Sequence, residues 1–340
     1  MSEEITETLD AVLVGRLRRE YLLPYNHPPR LNTLGGNLSY AAAAFAMWGG
    51  KAGLLTRVDK TFPLGWLELF GERGFDLEGV RLSEEKIDER LFVAYTDAHL
   101  PQYENPVTWF AERQLSFPRE LLGYDPGPTR LCSKTENHPY SLRISDAPKA
   151  YLDLSAAHIC PIDFVSHKML PSLLKAGMIQ TLSMRAAPCY MDPSYFGEMR
   201  GLLSDLTVFM LTEGEGSKLF QGQSVDLWEI VEELASLGPE YVIMDLKDGS
   251  RMVFDRFSRR RWVVPTYGVN MVDPTGMRDA FDGGFLFNYR KTYDVVKGAL
   301  CGQISAGFCA EGSGPAYLLD CLPGLKEARV EVLRSRVIAV

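Results

Sequence analysis

The sequence predicts an α/β fold: one doubly wound, mostly parallel sheet with helices on both faces and a small β lid. Short apolar runs at residues 11–15 and 54–58 have the composition of buried parallel strands. After the first run come a glycine turn and an alanine-rich segment of helical length, and after the second an amphipathic segment. With 340 residues, of which 46% are hydrophobic, the chain can bury a large core.

The same alternation continues through the second half of the chain. Further strands are expected near residues 157–160, 179–183, 206–211, 241–244, 252–254 and 262–264. Helices are expected near residues 165–176, from 215 and 225, and over 280–289 and 293–310. We expect a single domain over residues 1–340, with lid strands within about 16–37 and 88–150. The lid region includes an insertion at 101–148, which is proline-rich, polar and aromatic with little periodicity.

Charge and composition exclude several classes of partner. The 44 acidic and 36 basic residues give a net charge of −8 and form no basic stripe, which disfavours nucleic acid and anionic membranes. The longest apolar run, residues 38–50, is too short for the roughly 20 residues of a membrane-spanning helix. The first ten residues carry Glu3, Glu4 and Glu7 instead of a secretory signal. We therefore predict a cytoplasmic protein with no nucleic-acid or membrane partner.

The cysteines and histidines show no metal-binding or catalytic spacing. There is no Cys-x-x-Cys pair, and none of the five histidines stands at metal-ligand spacing from a cysteine. Motifs for P-loop nucleotide binding, dinucleotide binding and zinc proteolysis are also missing from the sequence. All six cysteines are predicted to be reduced packing thiols: Cys132, Cys160, Cys189, Cys301, Cys309 and Cys321.

The segment at residues 272–285, VDPTGMRDAFDGGF, is the most informative part of the sequence. A strand end, a glycine turn and a helix start aim backbone N–H groups and a positive helix end at one point, which suits a phosphate. Asp279 beside that point could accept a proton from an incoming hydroxyl group. The alternative interpretation is that Asp279 is an ordinary helix N-cap and that Gly283 and Gly284 mark a close helix contact.

This segment resembles the C-terminal signature D-T-x-G-A-G-D-x-F-x-x-G-[FL] of the ribokinase-like (PfkB-type) carbohydrate kinase family. The matching positions are Asp273, Gly276, Asp279, Phe281, Gly284 and Phe285. Other segments resemble family elements in the same order: residues 35–37 the Gly-Gly signature, 57–80 the segment after it, 192–193 a strand end, and 212–215 the N-x-x-E element. The resemblance covers most of the chain except the insertion.

The resemblance implies ATP-dependent and Mg²⁺-dependent phosphorylation of a hydroxyl on a sugar or nucleoside. Asp279 would be the catalytic base, and the anion hole would be formed by the N–H groups of Gly276, Met277, Arg278 and Asp279. Arg278 is a further candidate catalytic residue, because an arginine beside this turn can add a cation for the γ-phosphate. Glu215 would organise Mg²⁺ indirectly, through water.

The remaining site assignments also follow from the resemblance. The implied substrate-binding residues are Glu20, Gly35, Gly36 and Asn37, and the implied cofactor-binding residues are Thr212, Glu215, Asp245, Gly249 and Asp273. The lid would close over the substrate, and two chains would pair through their lids as a homodimer. For Glu20 the alternative is a solvated loop acid, because it ends a short charged stretch.

Several positions depart from the family pattern. Met277 and Arg278 replace alanine and glycine, so that Arg278 either blocks the anion hole or swings outward. Thr212 and Tyr40 replace asparagines, and Leu246 replaces a nucleotide-loop glycine. The competing hypothesis is therefore a catalytically impaired protein of the same fold that acts as a ligand-binding or regulatory protein. An outward Arg278 favours the kinase, and an inward one favours the binder.

Overall fold

The computed structural model describes residues 8–126, 131–221 and 226–340. The strands in these residues are β1 Ala11–Val14, β2 Arg18–Leu23, β3 Arg30–Gly35, β4 Ala52–Asp59, β5 Val80–Ser83, β6 Arg90–Tyr95, β7 Pro101–Gln102, β8 Ala156–Ile159, β9 Thr181–Arg185, β10 Val208–Thr212, β11 Tyr241–Asp245, β12 Arg251–Asp255, β13 Arg261–Val264 and β14 Ile338–Ala339. The helices are α1 Asn37–Met47, α2 Glu68–Gly71, α3 Pro106–Glu112, α4 Lys149–Leu152, α5 Phe164–Lys175, α6 Met199–Leu203, α7 Glu213–Leu219, α8 Leu227–Ser236, α9 Met277–Thr292, α10 Val295–Ala310, α11 Ala316–Leu319 and α12 Leu325–Arg334. The acidic residues 3, 4 and 7 and the predicted helix start at 225 lie outside the described residues.

Ten strands of the described chain form the main sheet, in the order β14-β13-β12-β11-β10-β9-β8-β1-β4-β5. The seven strands from β11 to β5 are parallel, while β12, β13 and β14 add an antiparallel edge. The strand order reverses direction between β1 and β8, and ligands of such sheets bind at the carboxyl ends of the strands at this point. The predicted doubly wound architecture is confirmed.

Alternating side chains of the strands supply a separate apolar core on each face of the sheet. Leu13 of β1 packs into the core that contains Phe281 of α9 and Ile304 of α10. Its neighbour Val12 packs into the opposite core, with Leu170 of α5. The alternation follows from strand geometry, because successive side chains point to opposite faces. Together the two helical layers hold the carboxyl ends of the parallel strands in place.

A second, four-stranded sheet forms the lid, in the order β3-β2-β6-β7. Tyr21 and Phe92 lie on one of its faces, where Phe110 of the insertion covers them. Leu22 and Tyr95 lie on the other face, in a separate buried cluster. The insertion thus adds the helix α3 and packs onto the lid. The homodimer through the lid stays a prediction, and a partner would have to bind beside the insertion or at an edge strand.

One part of the cysteine prediction is wrong. Cys132 of the insertion and Cys189, which follows β9, form a disulfide across 57 residues of sequence, with their Cα atoms 5.2 Å apart. The fold brings together two cysteines that look isolated in the sequence, which spacing alone does not reveal. The other four cysteines are free thiols: Cys160, Cys301, Cys309 and Cys321.

The long apolar run at residues 38–50 lies mostly in the helix α1. Among the described residues, none of the helices combines the length and the apolar composition needed to cross a membrane. The run at residues 38–50 forms most of α1, whose residues Leu38–Phe45 are all buried, as the alanine-rich pattern predicted. This helix packs along α9 and supports the turn that precedes it.

Candidate active site

The turn at residues 273–279, called here the Gly276 turn, leads into α9. Gly276 is the N-cap of α9 and has a φ of 78°, in the left-handed region that glycine adopts without strain. The ring of Tyr40 from α1 packs against it, so that a Cβ atom at this position would overlap the ring. Local conformation and tertiary packing therefore both require glycine here.

The Gly276 turn presents unpaired backbone donors. Ala280 N–H donates to the Gly276 carbonyl at 2.8 Å, and Met277 N–H makes a long bond of 3.4 Å to the Pro274 carbonyl. In the described part of the chain, no acceptor is found for the N–H groups of Gly276, Arg278 and Asp279. Such orphan donors at a helix start, with the positive end of the helix dipole, form a site for an anion. Three of the four predicted donors are thus fully available.

Asp279 lies in the first turn of α9, beside these donors, and its side chain is partly buried. Burial, and then the nearby negative charge of Asp282, raise the pKa of Asp279 to about 7. A carboxylate with a pKa near neutrality can accept a proton efficiently at physiological pH. Asp279 makes no side-chain bond to its own helix start, and its role as a base stays a prediction.

Neither long side chain of the turn fills the anion hole. The Arg278 side chain is 65% exposed, and its Nε lies 3.8 Å from the Asp245 Oδ2. The Met277 side chain packs against the apolar core between α1, α9 and α10. Of the two orientations that the sequence left open for Arg278, the structure shows the outward one.

A buried charge network lies beneath Asp279, and the sequence analysis missed it. Arg185, at the carboxyl end of β9, pairs with Asp282 at 2.6 Å and with Asp245 at 2.9 Å. Arg251 pairs with the other oxygen of Asp245 at 2.8 Å and donates to Gln303. Burial alone would raise the pKa of Asp282, but the Arg185 guanidinium lowers it below its usual value. Asp282 and Asp279, one helical turn apart, thus have opposite pKa shifts.

Asp245 belongs to this charge network. The carboxylate of this predicted cofactor-binding residue is almost fully buried and is held by two arginines. This carboxylate therefore anchors the strand end, and the contact of Asp245 with a cofactor stays a prediction. The sequence indicates this charge network only weakly. Asp282 lies three residues after Asp279, and Arg185 ends an apolar strand.

Glu20 belongs to a closed cluster at the other end of the site. Its side chain is 1% exposed, with one oxygen accepting from Gly36 N–H at 2.9 Å and the other from the Tyr40 hydroxyl at 2.8 Å. The carboxylate lies where a Cβ at Gly35 would be. Burial raises the pKa of Glu20 to about 7. The interpretation of Glu20 as a solvated loop acid is wrong, because the lid strand β2 turns this face inward. Glu20, Gly35, Gly36 and Tyr40 are called here the Glu20 cluster.

Asn37 connects two strand ends. Its side-chain oxygen accepts from Arg16 N–H at 2.7 Å, and its amide nitrogen donates to the Pro161 carbonyl at 2.7 Å. These bonds join the segment after β1 to the segment after β8, where the strand order reverses. Asn37 therefore links the segments that follow these two strands. Its contact with a substrate stays a prediction.

The predicted cofactor residues lie around the same edge of the sheet. Thr212 and Glu215 form a reciprocal cap of α7, in which Glu215 accepts from Thr212 N–H at 2.7 Å and Thr212 accepts from Glu215 N–H at 3.2 Å. Gly249 has a φ of 82° in the turn after β11. Asp273 is 1% exposed and accepts from Thr275 N–H and from the Ser313 hydroxyl, so it holds the Gly276 turn in shape.

The donor set for Mg²⁺ is consistent with indirect binding. Within residues 8–126, 131–221 and 226–340 no group of three or more His, Cys, Asp or Glu side chains forms a metal cluster. The Glu215 carboxylate is fixed by its cap bond, which uses only one of its two oxygens, and burial raises its pKa. Mg²⁺ prefers one or two carboxylates together with phosphate oxygens and waters. The residues present fit such a site.

The lid reaches the Gly276 turn. The Tyr95 hydroxyl of β6 and the Thr275 hydroxyl share a hydrogen bond of 2.9 Å. Tyr103, just after β7, lies close enough to Arg278 and Asp279 for their charges to influence its pKa, which burial raises. The lid sheet is therefore in contact with the segment that carries Asp279, as the prediction of a covering lid requires.

The chain is similar in sequence and in structure to several known proteins. The chain is 24% identical to a cytidine kinase of Thermococcus kodakarensis over 285 residues, 83% of this chain and 89% of that protein. A nucleoside kinase of Methanocaldococcus jannaschii, described as an archaeal member of the ribokinase family, superimposes with a TM-score of 0.65 at 16% identity, covering 95% of this chain and 99% of the other. A fructokinase of Xylella fastidiosa with bound ATP gives a TM-score of 0.66 at 16% identity over 96% and 98%.

No protein-family model matches the chain. The full-length superpositions nevertheless show a common fold, and the alignment with the cytidine kinase extends over most of both chains. The large, mostly parallel sheet with helices on both faces agrees with these similarities. The chain therefore has the fold of the ribokinase-family kinases it superimposes on, and its sequence is similar to that of a cytidine kinase.

Proposed function

We propose that this protein transfers a phosphoryl group from ATP to a hydroxyl of a sugar or nucleoside. The observation that carries the proposal is the juxtaposition of the Asp279 carboxylate with the unpaired N–H donors of the Gly276 turn. Phosphoryl transfer requires a group that orients and deprotonates the nucleophile and donors that stabilise the transferring phosphate. One turn of this chain supplies both.

Asp279 acts as the base in this proposal. The acceptor hydroxyl loses its proton to the Asp279 carboxylate as its oxygen bonds to the γ-phosphorus, and the bond to the β-phosphate oxygen breaks to release ADP. The pKa of about 7 means that a substantial fraction of Asp279 is ionised at neutral pH. The neighbouring Asp282 stays ionised, since Arg185 neutralises it.

The donors of the turn stabilise negative charge on the γ-phosphate. Their N–H groups are fixed by the helix start, so no reorganisation is needed when charge develops. The outward position of Arg278 supports the kinase hypothesis over the binder, because the guanidinium leaves the hole open. From its exposed position, Arg278 is free to turn toward the phosphates of ATP.

Glu215 would hold Mg²⁺ through its waters on the nucleotide side. When bound, the ion would neutralise negative charge on the phosphates. The role of Glu215 is positional: its carboxylate is locked by Thr212 at the start of α7, at the carboxyl end of β10. ATP would lie across the carboxyl ends of β10 and β11, near Gly249 and the C-terminal helices.

One observation favours the alternative of a binding or regulatory protein. The ring of Tyr40 occupies the space against Gly276, and its hydroxyl is bonded to Glu20, so that the two ends of the site are joined through this side chain. An acceptor that lies at the Glu20 cluster must extend past the Tyr40 ring to reach Asp279. In the binder hypothesis, Tyr40 keeps the acceptor from reaching Asp279.

The test is Mg²⁺-dependent release of ADP from ATP across a panel of sugars, sugar derivatives and nucleosides. We expect turnover with a restricted set of acceptors. Asp279→Asn should lower kcat by about 10²–10⁴, the usual contribution of a general base. Asp294→Asn is the matched control, because Asp294 caps α10 in an exposed position and asparagine caps equally well.

Two outcomes would contradict the proposal. Binding of ATP or of an acceptor without turnover of any acceptor would favour the binder. Turnover that survives Asp279→Asn unchanged at saturating ATP would remove Asp279 from the role of base.

A further inference from the structure

Two arginines, Arg16 and Arg18, lie beside Gly36 of the Glu20 cluster. Arg16 lies two residues after β1, and Arg18 begins β2, on the same strand face as Glu20. In the described part of the chain, neither guanidinium lies within ion-pair distance of an acidic side chain. The Arg18 guanidinium donates to the Asp88 carbonyl at 3.2 Å, and that of Arg16 lies 3.7 Å from the ring centroid of Tyr140.

The nearby carboxylates are already engaged elsewhere. Asp163 accepts from the N–H and the hydroxyl of Ser166, both at 2.9 Å. Asp88 is held by the Arg90 guanidinium at 2.8 and 2.6 Å. Glu89 accepts from a backbone N–H, and burial raises its pKa to about 7, so that it carries only part of a negative charge at neutral pH.

Burial makes this uncompensated positive charge costly. Desolvation, and then repulsion by Arg18, lower the pKa of Arg16 to about 9, and desolvation also lowers the pKa of Arg18. A pair of adjacent guanidinium groups that the fold does not neutralise is an arrangement that an anionic ligand would stabilise.

A continuous chain of contacts links these arginines to the Gly276 turn. The Tyr40 ring packs on Gly276, its hydroxyl bonds Glu20, and Glu20 accepts from Gly36 N–H. Gly36 in turn packs so closely against Arg18 that a Cβ there would lie 3.0 Å from the Arg18 Cγ. A molecule that spans the Glu20 cluster would thus have one end near Asp279 and the other near the arginines.

We propose that the phosphoryl acceptor carries an anionic group of its own, a phosphate or a carboxylate, which Arg16 and Arg18 bind at the end remote from Asp279. The inference rests on the proposed function and narrows its substrate class from neutral sugars and nucleosides to acidic ones. Guanidinium groups bind both anions through paired, charge-assisted hydrogen bonds. Tyr140, stacked on His138 at 4.9 Å, brings the insertion to the same subsite as a side wall.

The test compares neutral acceptors with related anionic ones: ribose with ribose 5-phosphate, fructose with fructose 6-phosphate, glucose with gluconate, and cytidine with cytidine monophosphate. Initial rates of ADP release give kcat and KM, and calorimetric titration without ATP gives binding. We expect an anionic acceptor to exceed its neutral counterpart about 100-fold in kcat/KM. The phosphate and carboxylate pairs identify which anion is recognised.

The variants Arg16→Gln and Arg18→Gln should each raise KM for the anionic acceptor about 10-fold to 100-fold, with a much smaller change in kcat. Arg16→Lys keeps the charge and should lose less. Arg19→Gln is the matched control, since Arg19 lies on the same strand but bonds Asn32 at 3.0 Å on the other face. Thermal melting of each variant verifies folding.

The outcomes separate this inference from the proposed function. Equal or better turnover of the neutral acceptors, unaffected by Arg16→Gln, would overturn the inference while the kinase stands. If no acceptor is turned over, the kinase proposal fails and the titrations decide the inference. Selective binding of an anionic compound that Arg16→Gln abolishes would then support the subsite, and the lack of such binding would refute it.

Discussion

The Gly276 turn and the Glu20 cluster meet at the Tyr40 ring and differ in how their polar groups are satisfied. Among the residues that the structure describes, three N–H groups and one carboxylate of the turn have no intramolecular partner. In the Glu20 cluster, both carboxylate oxygens accept internal hydrogen bonds. Unpaired groups are available to a ligand, whereas internally bonded groups set the shape of the site. The chemistry proposed for this protein therefore uses the groups of the turn, and the cluster is proposed to control which molecules reach them.

The turn can keep free donors because the charges beneath it are fully paired. Arg185, Asp282, Asp245 and Arg251 form a buried network in which each carboxylate meets a guanidinium. The network lies directly under α9 and gives Asp282 and Asp279 their opposite pKa shifts. Removing one member leaves an uncompensated buried charge, which is far more costly than removing a surface pair.

The largest expected effect follows from this network. Arg185→Met should lower the free energy of unfolding by about 3–5 kcal/mol, because Asp282 and Asp245 lose their shared partner in the interior. Arg259→Met, which removes an exposed partner of Glu232, should cost less than about 1 kcal/mol. Urea unfolding of both variants measures the difference. Equal losses would show that the network does not support the turn.

The second effect separates the two reasons for glycine at position 276. Gly276→Ala meets both the left-handed conformation and the Tyr40 ring, and should lose about 2–4 kcal/mol of stability and at least about tenfold in kcat. Gly324→Ala has the same conformation, with a φ of 79°, but open space around it, and should lose only about 1 kcal/mol. Similar losses of stability for both variants would mean that the Tyr40 ring moves aside and does not determine the conformation of the turn.

The third prediction concerns pH. Asp279 must be ionised to accept a proton, and its pKa is raised to about 7. The value of kcat/KM should therefore fall about tenfold per pH unit below pH 7 and level off above it. The measurement uses an acceptor that does not titrate between pH 5.5 and 8. A flat profile over this range would contradict the role of Asp279 as the base.

The smallest expected effect tests the closed cluster. Since the pKa of Glu20 is about 7 when folded and near 4.5 when unfolded, its protonation stabilises the fold at low pH, and this stabilisation is lost as the pH rises through 7. Glu20→Gln should therefore be more stable than the wild type at pH 8, relative to pH 5.5, by about 2 kcal/mol. Denaturant midpoints at both pH values test this. An unchanged pH dependence would show that Glu20 is not held in a desolvated site.

Much of the fold was predictable because it depends on local patterns. The apolar runs at β1 and β4 and the alanine-rich α1 have the composition of their structures, and the segment at residues 272–285 carries its turn and helix start in its own glycine and aspartate. The helix of the insertion and the Cys132–Cys189 disulfide were not predictable, because they depend on contacts between distant segments.

The type of fold, the Gly276 turn and the candidacy of Asp279 could be inferred from the residue order alone, because glycine conformation, helix starts and hydrophobic periodicity are local properties of the chain. The packing of distant segments shows instead that Arg278 points outward, that Arg185 and Arg251 hold Asp245, and that Arg16 and Arg18 have no acidic partner among the described residues. The physical reason is that the pairing and desolvation of a charge depend on which distant strand ends and helices surround it, and the order of residues does not state this.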